Sequence, residues 1–557
     1  MESLVSVKTQ SWLVWFLRGL LIVGFLVLFA RLVDLQVIRG GYFKALAEGN
    51  RIRRVPIVAA RGEIRARGGE QLASNEEIKR AVIFDEAGFE KIETKSDSEN
   101  NITEWLRVYP EGSDFGHLSG YLGEVNEEEL GKIAGECPEK GPKRLQTWTG
   151  RTGLEKQYDC ILTGYDGEEL IEVNSANKKI RTLGRKNSVK GNDIITTIDF
   201  GLQKKIAEIF KDKKGSVVVT DANGEVLALY SSPSYDPNRF VKDRNFANTV
   251  LENKELPLFN RSISGIFHPG SVFKPVVAIA GLEEGKIDED YTYNDTGQIA
   301  INTAYGNFSY KNWYFIQYGG TEGSIKLDKA IARSTDTFFY NLGELLGIEN
   351  IDRWAEKFGL GKNTGIDIPG EVAGLIPSPL WKQNVKGERW FLGNTYHVSI
   401  GQGDLAVTPI AVNQAISVIA NGGRYCQPSL VSSGNSGKEK CRELDIKKEN
   451  IDLVKKGMTA ACSSGGTGYT FYDFKEKSGK DVSCKTGTAQ NEKGEPHAWF
   501  TVYAPVEEPE LIATILVENG GEGSKVAGPI ARDIFNYWFK VPAATPSATI
   551  TIPPVYE

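Results

Sequence analysis

Histidine is scarce in this chain. The four residues, at 117, 268, 397 and 497, stand in no ligand spacing with one another or with a C-x-x-C pair, so neither a metal nor another cofactor is expected. A basic surplus is missing too. Lys and Arg number 66 against 72 Asp and Glu, a net charge of -6, which leaves no electrostatic footprint for nucleic acid. One apolar run stands near the N-terminus, and no A-x-A-like cleavage site follows it. No signalling domain precedes it, which argues against a membrane sensor. What remains is a chain of 557 residues, 25% charged and 40% hydrophobic, a globular composition long enough for more than one domain.

Against these absences one stretch stands out: Phe267-His268-Pro269-Gly270-Ser271-Val272-Phe273-Lys274-Pro275. If Ser271 opens a helix, Lys274 projects from the same face one turn later, which makes a nucleophile and a base. A serine hydroxyl attacks only if a neighbour takes its proton, and a lysine takes it only when burial keeps the amine neutral near pH 7. The helix N-terminus favours an oxyanion beside Ser271. Alone the pattern is weak, because Ser175-Ala176-Asn177-Lys178 matches it in a polar stretch read as a solvated loop. His268, three residues before Ser271, has no identifiable acid partner and is not read as a triad base.

Two companions follow in order: Ser334-Thr335-Asp336 after a helical run, and Lys485-Thr486-Gly487-Thr488 after strand-like Asp481-Val482-Ser483-Cys484. With this set the sequence resembles the penicillin-recognising serine acyltransferases, whose motifs are S-x-x-K, S-x-N or S-x-D, and K-T-G. Further runs are similar to class B penicillin-binding proteins: Thr364-Gly365-Ile366-Asp367-Ile368-Pro369-Gly370-Glu371, Ser399-Ile400-Gly401-Gln402-Gly403-Asp404 and His497-Ala498-Trp499-Phe500. Asp336 in place of Asn, with the run at 497–500, is most similar to the elongation group (penicillin-binding protein 2) rather than the septal one.

The resemblance implies a serine-type D-Ala-D-Ala transpeptidase that cross-links peptidoglycan and is acylated by β-lactams. Ser271 would attack the carbonyl between the terminal D-alanines of a stem peptide. Lys274 would be the base, Ser334 would pass a proton to the leaving nitrogen, and Asp336 would orient the lysines. Lys485 would supply charge for the terminal carboxylate, with the Thr486 and Thr488 hydroxyls as donors and Gly487 leaving room for substrate backbone. The oxyanion hole would be the backbone N–H groups of Ser271 and Thr488. A carboxypeptidase or serine β-lactamase would share this site and hand the acyl group to water. A non-catalytic penicillin-binding scaffold is the alternative from another class. Implied partners are stem peptides, a membrane-embedded SEDS-type glycan polymerase and elongation-complex scaffold proteins.

Residues 12–30 are interrupted only by Arg18 and suffice to span a bilayer, and residues 31–37 continue a helical pattern, so an uncleaved anchor is expected. The resemblance implies residues 1–11 as a cytoplasmic tail, 12–35 as the anchor in the bacterial inner membrane, and a body outside the cytoplasm. Residues 36–190 are expected as the non-catalytic pedestal or dimerisation domain, carrying Arg61-Gly62-Glu63-Ile64, Arg107-Val108-Tyr109-Pro110, His117-Leu118-Ser119-Gly120-Tyr121 and the run at 150–158. The D-R-N-G usual after R-G-x-I is absent; Arg65-Ala66-Arg67-Gly68-Gly69 stands there. Residues 95–101 read as an exposed loop.

Residues 191–540 are expected to form the transpeptidase domain. Asp199 caps a helix with Leu202, Ile206, Ile209 and Phe210 on one stripe, and Asp221-Ala222-Asn223-Gly224 turns a hairpin. Later β runs at 482–488, 499–504 and 511–517, before a closing helix at 526–539, complete one antiparallel five-stranded sheet packed by helices, an α+β fold of the serine β-lactamase type. Lys485-Thr486-Gly487 is expected on its edge strand. Residues 541–557 read as a disordered Pro/Thr-rich tail. The six cysteines permit disulfides, and neighbours in sequence suggest pairs, but six allow 15 connectivities and the pairing stays open.

Overall fold

A computed structural model of the chain describes residues 7–542 except 86–87, 95–100, 134–135, 141–142, 144, 146, 175–177, 304–305, 432–440 and 492–493. Most of the expected loop at 95–101, residues 175–177 of the second S-x-x-K match, and the tail beyond 542 lie outside the described residues. The chain forms two compact units. One comprises Met1–Arg61, Asn75–Leu106 and Thr163–Gly191, the other Gly62–Ser74, Arg107–Leu162 and Asn192–Glu557.

The first unit begins with helix α1 (Val7–Val33), continued by a π-helical turn, Asp34–Ile38. The stretch Trp12–Ile38 is long and apolar enough to cross a membrane, and none of its most apolar window is buried. At about 1.5 Å per residue it exceeds the roughly 30 Å of bilayer hydrocarbon. Asp34 lies 2.6 Å from Arg31 and 3.2 Å from Arg39, so the charges at its end are paired. Strands Ile52–Ile57, Gly167–Val173 and Lys179–Lys186 form an antiparallel sheet with Gly167–Val173 central. Its core is small: Val55, Ile171 and Val173.

The second unit is built on five strands: β1 (Gly215–Thr220), β2 (Val226–Ser232), β3 (Ser483–Ala489), β4 (His497–Ala504) and β5 (Leu511–Val517). Their order is β2-β1-β5-β4-β3, antiparallel throughout. Around them lie α2 (Phe200–Phe210), α3 (Lys274–Glu283), α4 (Leu327–Arg333), α5 (Asp336–Leu346), α6 (Pro409–Ala420), α7 (Lys448–Ala461) and α8 (Ala527–Trp538). Side chains alternate along a strand, and here both faces are apolar. Trp499, Tyr503, Ile512 and Leu516 pack with α3 to α7, and Phe500, Val502, Ala513 and Ile515 with α2 and α8. The sheet is thus the middle of three layers.

The hairpin turns as the sequence indicates, with Asp221 Oδ1 accepting from Asn223 N and Glu225 N, each at 2.8 Å. Asp199 caps α2 through Leu202 N at 2.9 Å. The outer edge, β2, is capped by side chain and loop. Buried Gln203 donates to Leu229 O and accepts from Leu229 N, each at 3.0 Å, and Val226 N donates to Ser429 O at 2.9 Å. Bare strand edges invite pairing with another chain, and a fixed amide closes this one.

The compact units do not divide the chain at a single point. The units change at Gly191/Asn192, and two earlier segments, Gly62–Ser74 and Arg107–Leu162, belong with the unit that carries the five-stranded sheet. Ile64, Leu72, Tyr109, Phe115, Leu118, Leu154 and Leu162 share one apolar cluster with Ile198, Val218, Leu229, Ile410 and Leu430. Arg107 Nε donates to buried Glu155 at 2.6 Å, and Tyr158 donates to Asp367 at 2.6 Å. The motifs at 107–110, 117–121 and 150–158 therefore pack within the unit that carries the five-stranded sheet.

The cysteines pair as sequence neighbours: Cys137 with Cys160, Cys426 with Cys441, and Cys462 with Cys484.

Candidate active site

Ser271 does not open an α-helix. It sits in a 3-10 turn, Gly270–Phe273, and α3 begins at Lys274. In a 3-10 turn positions three apart eclipse, so Ser271 and Lys274 are stacked more directly than on an α-helix. The turn is wedged between two backbones. Gly270 N donates to Gly401 O at 2.8 Å, and a Cβ on Gly401 would stand 2.1 Å from Gly270 O, so the expected glycine at 401 is there for close approach. On the other side runs β3. A Cβ on Gly487 would meet Trp499 Cβ at 2.9 Å, Pro269 O at 3.0 Å and Val272 Cγ1 at 3.0 Å. The lack of a side chain at Gly487 therefore seats the Ser271 turn.

Ser271 is partly open to solvent, and Lys274 is fully buried. Lys274 Nζ donates to Ser334 O at 2.8 Å, to Ser334 Oγ at 3.2 Å and to Asp336 Oδ1 at 2.6 Å. In this resting geometry its bonds go to the S-x-D motif rather than to Ser271. Burial pushes the Lys274 pKa down and the Asp336 carboxylate holds it up.

Ser334 is the hinge between α4 and α5 and has φ of 55°, a left-handed conformation uncommon for a residue with a side chain. Such outliers cost of order 1 to 3 kcal/mol and persist where the surroundings over-determine them. Here the kink presents both Ser334 O and Ser334 Oγ to Lys274. The same hydroxyl receives Lys485 Nζ at 2.9 Å, and Lys485 also donates to Thr486 O at 3.1 Å. Ser334 Oγ thus lies between two lysine nitrogens.

Asp336 does not cap its own helix. Its Oδ2 accepts from Trp313 N at 3.0 Å, and its backbone N–H donates to Asn312 Oδ1 at 3.1 Å. Buried Asp295 extends the network by accepting from Thr337 Oγ1 at 2.6 Å and Glu322 N at 2.8 Å. Nothing in the local pattern around Asn312 or Asp295 marks them, since their partners are distant in sequence.

Lys485 lies on the edge strand β3, as expected, but it is fully buried, and among the described residues no carboxylate lies within ion-pair distance of it. Its Nζ lies against Ser334 Oγ. Burial drives its pKa well down, the charge of Lys274 drives it further, and Asp336 opposes both. Two ammonium groups with one carboxylate leave a buried net charge, and Lys485, lacking the contact with Asp336, gives up its proton first. Thr486 Oγ1 donates to Thr467 Oγ1 at 2.9 Å, and Thr488 is the exposed hydroxyl of the strand. His268 Nδ1 donates to Leu405 O at 2.6 Å and takes no part in the lysine network.

The arrangement is suited to acyl transfer: a partly exposed serine, a buried lysine next to it, and a hydroxyl positioned to pass protons between two lysines. Comparison with known proteins agrees. A family model described as the penicillin binding protein transpeptidase domain matches residues 215–536, and one described as the penicillin-binding protein dimerisation domain matches residues 89–196. The peptidoglycan D,D-transpeptidase MrdA of Acinetobacter baumannii is 30% identical over 94% of this chain and 87% of its own length. That of Escherichia coli K12 is 30% identical over 96% and 94%. Among solved structures, a penicillin-binding protein 2 from Helicobacter pylori in complex with MreC superposes with a TM-score of 0.76 at 26% identity, covering 88% of this chain and 99% of that one. The Pseudomonas aeruginosa penicillin-binding protein 2 does so with a TM-score of 0.72 at 29% identity, covering 89% and 100%.

Proposed function

This chain belongs to the penicillin-binding protein transpeptidases and cross-links peptidoglycan as a D,D-transpeptidase of the penicillin-binding protein 2 kind, and from that premise we propose that its acyl-enzyme forms on Ser271. Lys274 passes a proton through Ser334 Oγ to Lys485, which leaves Lys274 as the neutral amine. Ser271 Oγ then attacks the carbonyl between the terminal D-alanines as its proton moves to Lys274. The oxyanion rests on the backbone N–H groups of Ser271 and Thr488. As the C–N bond breaks, Ser334 protonates the departing D-alanine nitrogen and is reprotonated from Lys274. An amine of a neighbouring stem attacks the ester, loses a proton by the reverse path, and returns Ser271 to its hydroxyl form. The exposed Thr488 receives the substrate carboxylate.

The observation that supports this reading is the unbroken series of contacts from Lys274 through Ser334 Oγ to Lys485, at 3.2 and 2.9 Å. Proton transfer needs heavy atoms within about 2.6 to 3.2 Å. Labelling with a fluorescent penicillin followed by peptide mapping should find the adduct on Ser271, and Ser271→Ala should take no label. An adduct on Ser334 or Ser175 sinks the assignment. Slow decay of the adduct is expected of a transpeptidase, and rapid turnover of a lactamase.

The span Trp12–Ile38 is read as a single-pass anchor in the inner membrane, with the catalytic unit on the outer side. We assign residues 36–190 to the pedestal or dimerisation domain and 191–540 to the transpeptidase domain, with Gly62–Ser74 and Arg107–Leu162 packed in the same compact unit as the latter. The Helicobacter pylori relative is solved with MreC, and a further neighbour comes from a peptidoglycan synthase complex, with a TM-score of 0.75 at 26% identity. By analogy the partners here are an elongation-complex scaffold protein and a glycan polymerase of the membrane.

A further inference from the structure

Thr467 touches no reacting group, yet parts of the site from two different elements meet on it. It lies in the loop 462–468, after α7. Its backbone N–H donates to Ala332 O at 3.1 Å, two residues before Ser334. Its Oγ1 accepts at 2.9 Å from Thr486 Oγ1, the residue after Lys485. The loop is tied at both ends. Cys462 is bonded to Cys484, the residue before Lys485, and Gly468 N donates to Ala461 O at 2.8 Å. Midway, Arg333 Nη1 donates to Gly465 O at 2.8 Å.

From these ties we propose that the loop 462–468 is a brace setting the distance between Ser334 and Lys485, with Thr467 as its positioning residue and the Cys462–Cys484 bond as its closure. The need for one follows from the topology. Lys485 rides on β3, which pairs with β4 along one side only, and Ser334 sits on a kink between two helices. No ladder of the sheet joins β3 to α4. A site tolerates errors of only about 0.5 Å in such contacts. The brace reaches both partners within one or two residues of the groups it positions, and it does so from one side chain and its own backbone. Thr467 is therefore distinct from the catalytic residues: it acts through Thr486 and Ala332.

The inference rests on the roles given above to Ser334 and Lys485. If those roles are wrong, Ser334→Ala and Lys485→Ala will acylate normally, whatever Thr467 does. The test uses the full-length protein in detergent and a fluorescent penicillin, separating the maximal acylation rate from the binding constant of the preceding complex. Thr467→Val keeps the shape and removes the hydroxyl. It should lower the maximal rate about tenfold or more and leave the binding constant within about twofold, as expected when a reacting group is misplaced by under 1 Å. Thr467→Ser should restore the rate. The Cys462→Ser/Cys484→Ser variant should show the same split between rate and binding. Wild-type maximal rates in Thr467→Val overturn the proposal, as do equal losses in Thr467→Val and Thr467→Ser. Should Thr467→Val not fold, a wild-type maximal rate in the double serine variant overturns it.

Discussion

Asp336 Oδ1 stands 2.6 Å from Lys274 Nζ in a site where the lysine is fully buried. The carboxylate favours the ammonium and so raises the Lys274 pKa against the lowering by burial. The reactive form holds one proton between Lys274 and Lys485, so acylation rises with pH as the pair loses its first proton, and Asp336 raises the pKa of both lysines. Asp336→Asn removes the charge and lowers both. The acidic limb of the second-order acylation rate should therefore move to lower pH, with activity retained. A limb that stays in place or moves to higher pH breaks the proposed coupling.

Lys485→Ala removes the second lysine from Ser334 Oγ. A hydrogen bond to a charged group contributes roughly 1.5 to 3 kcal/mol, so the maximal acylation rate should fall about ten- to a hundredfold. Because its contacts are with Ser334 Oγ and Thr486 O, the loss should be similar for stem peptides with a free and an amidated C-terminus. A loss confined to the free acid would place the ammonium on the substrate carboxylate.

Gly487→Ala introduces a methyl group where Trp499 Cβ, Pro269 O and Val272 Cγ1 all stand at about 3 Å. Two of these are backbone-bound, so the Ser271 turn must shift. Overpacking of this kind costs roughly 1 to 3 kcal/mol. Both the apparent melting temperature and the acylation rate should drop. An unchanged rate would mean that the turn is not held by this contact.

Gln203→Leu should leave Leu229 N and Leu229 O without the amide that caps them. Each unpaired buried backbone group costs about 1 to 3 kcal/mol. The expected result is a lower melting temperature and concentration-dependent self-association through β2, read by light scattering, with the β-lactam adduct still forming on Ser271. Unchanged stability and a monodisperse sample would show that the edge is closed by other means.

The three motifs were legible because acyl transfer demands particular side chains at fixed short spacings, and the strands of the sheet because their apolar runs are bounded by turn residues such as Asp221 and Gly224. Ser334's left-handed backbone left no such mark, since its cause is the fit between α4, α5 and Lys274. Asn312, Asp295 and Thr467 were missed for the same reason: each acts on a residue brought near only by the tertiary fold. The expected boundary after residue 190 stands next to a change of compact unit at Gly191/Asn192. It is silent on Gly62–Ser74 and Arg107–Leu162, whose apolar residues read the same whichever unit they fill. Lys485 was found by motif, but its burial beside Ser334 was not, because burial is set by β4, α7 and the Ser271 turn, which the tertiary fold brings against β3.

The sheet that carries Lys485 is closed by β3, β4 and β5, which come from the far end of the chain, against β1 and β2, which come much earlier. During synthesis the Ser271 turn and the Ser334 kink emerge before any strand they must face. Until β5 pairs with β1, the nucleophile has no opposite wall and Lys274 has no second lysine across Ser334. A nascent chain of this protein is therefore catalytically silent by geometry, and the serine becomes reactive only when the last strands have been delivered.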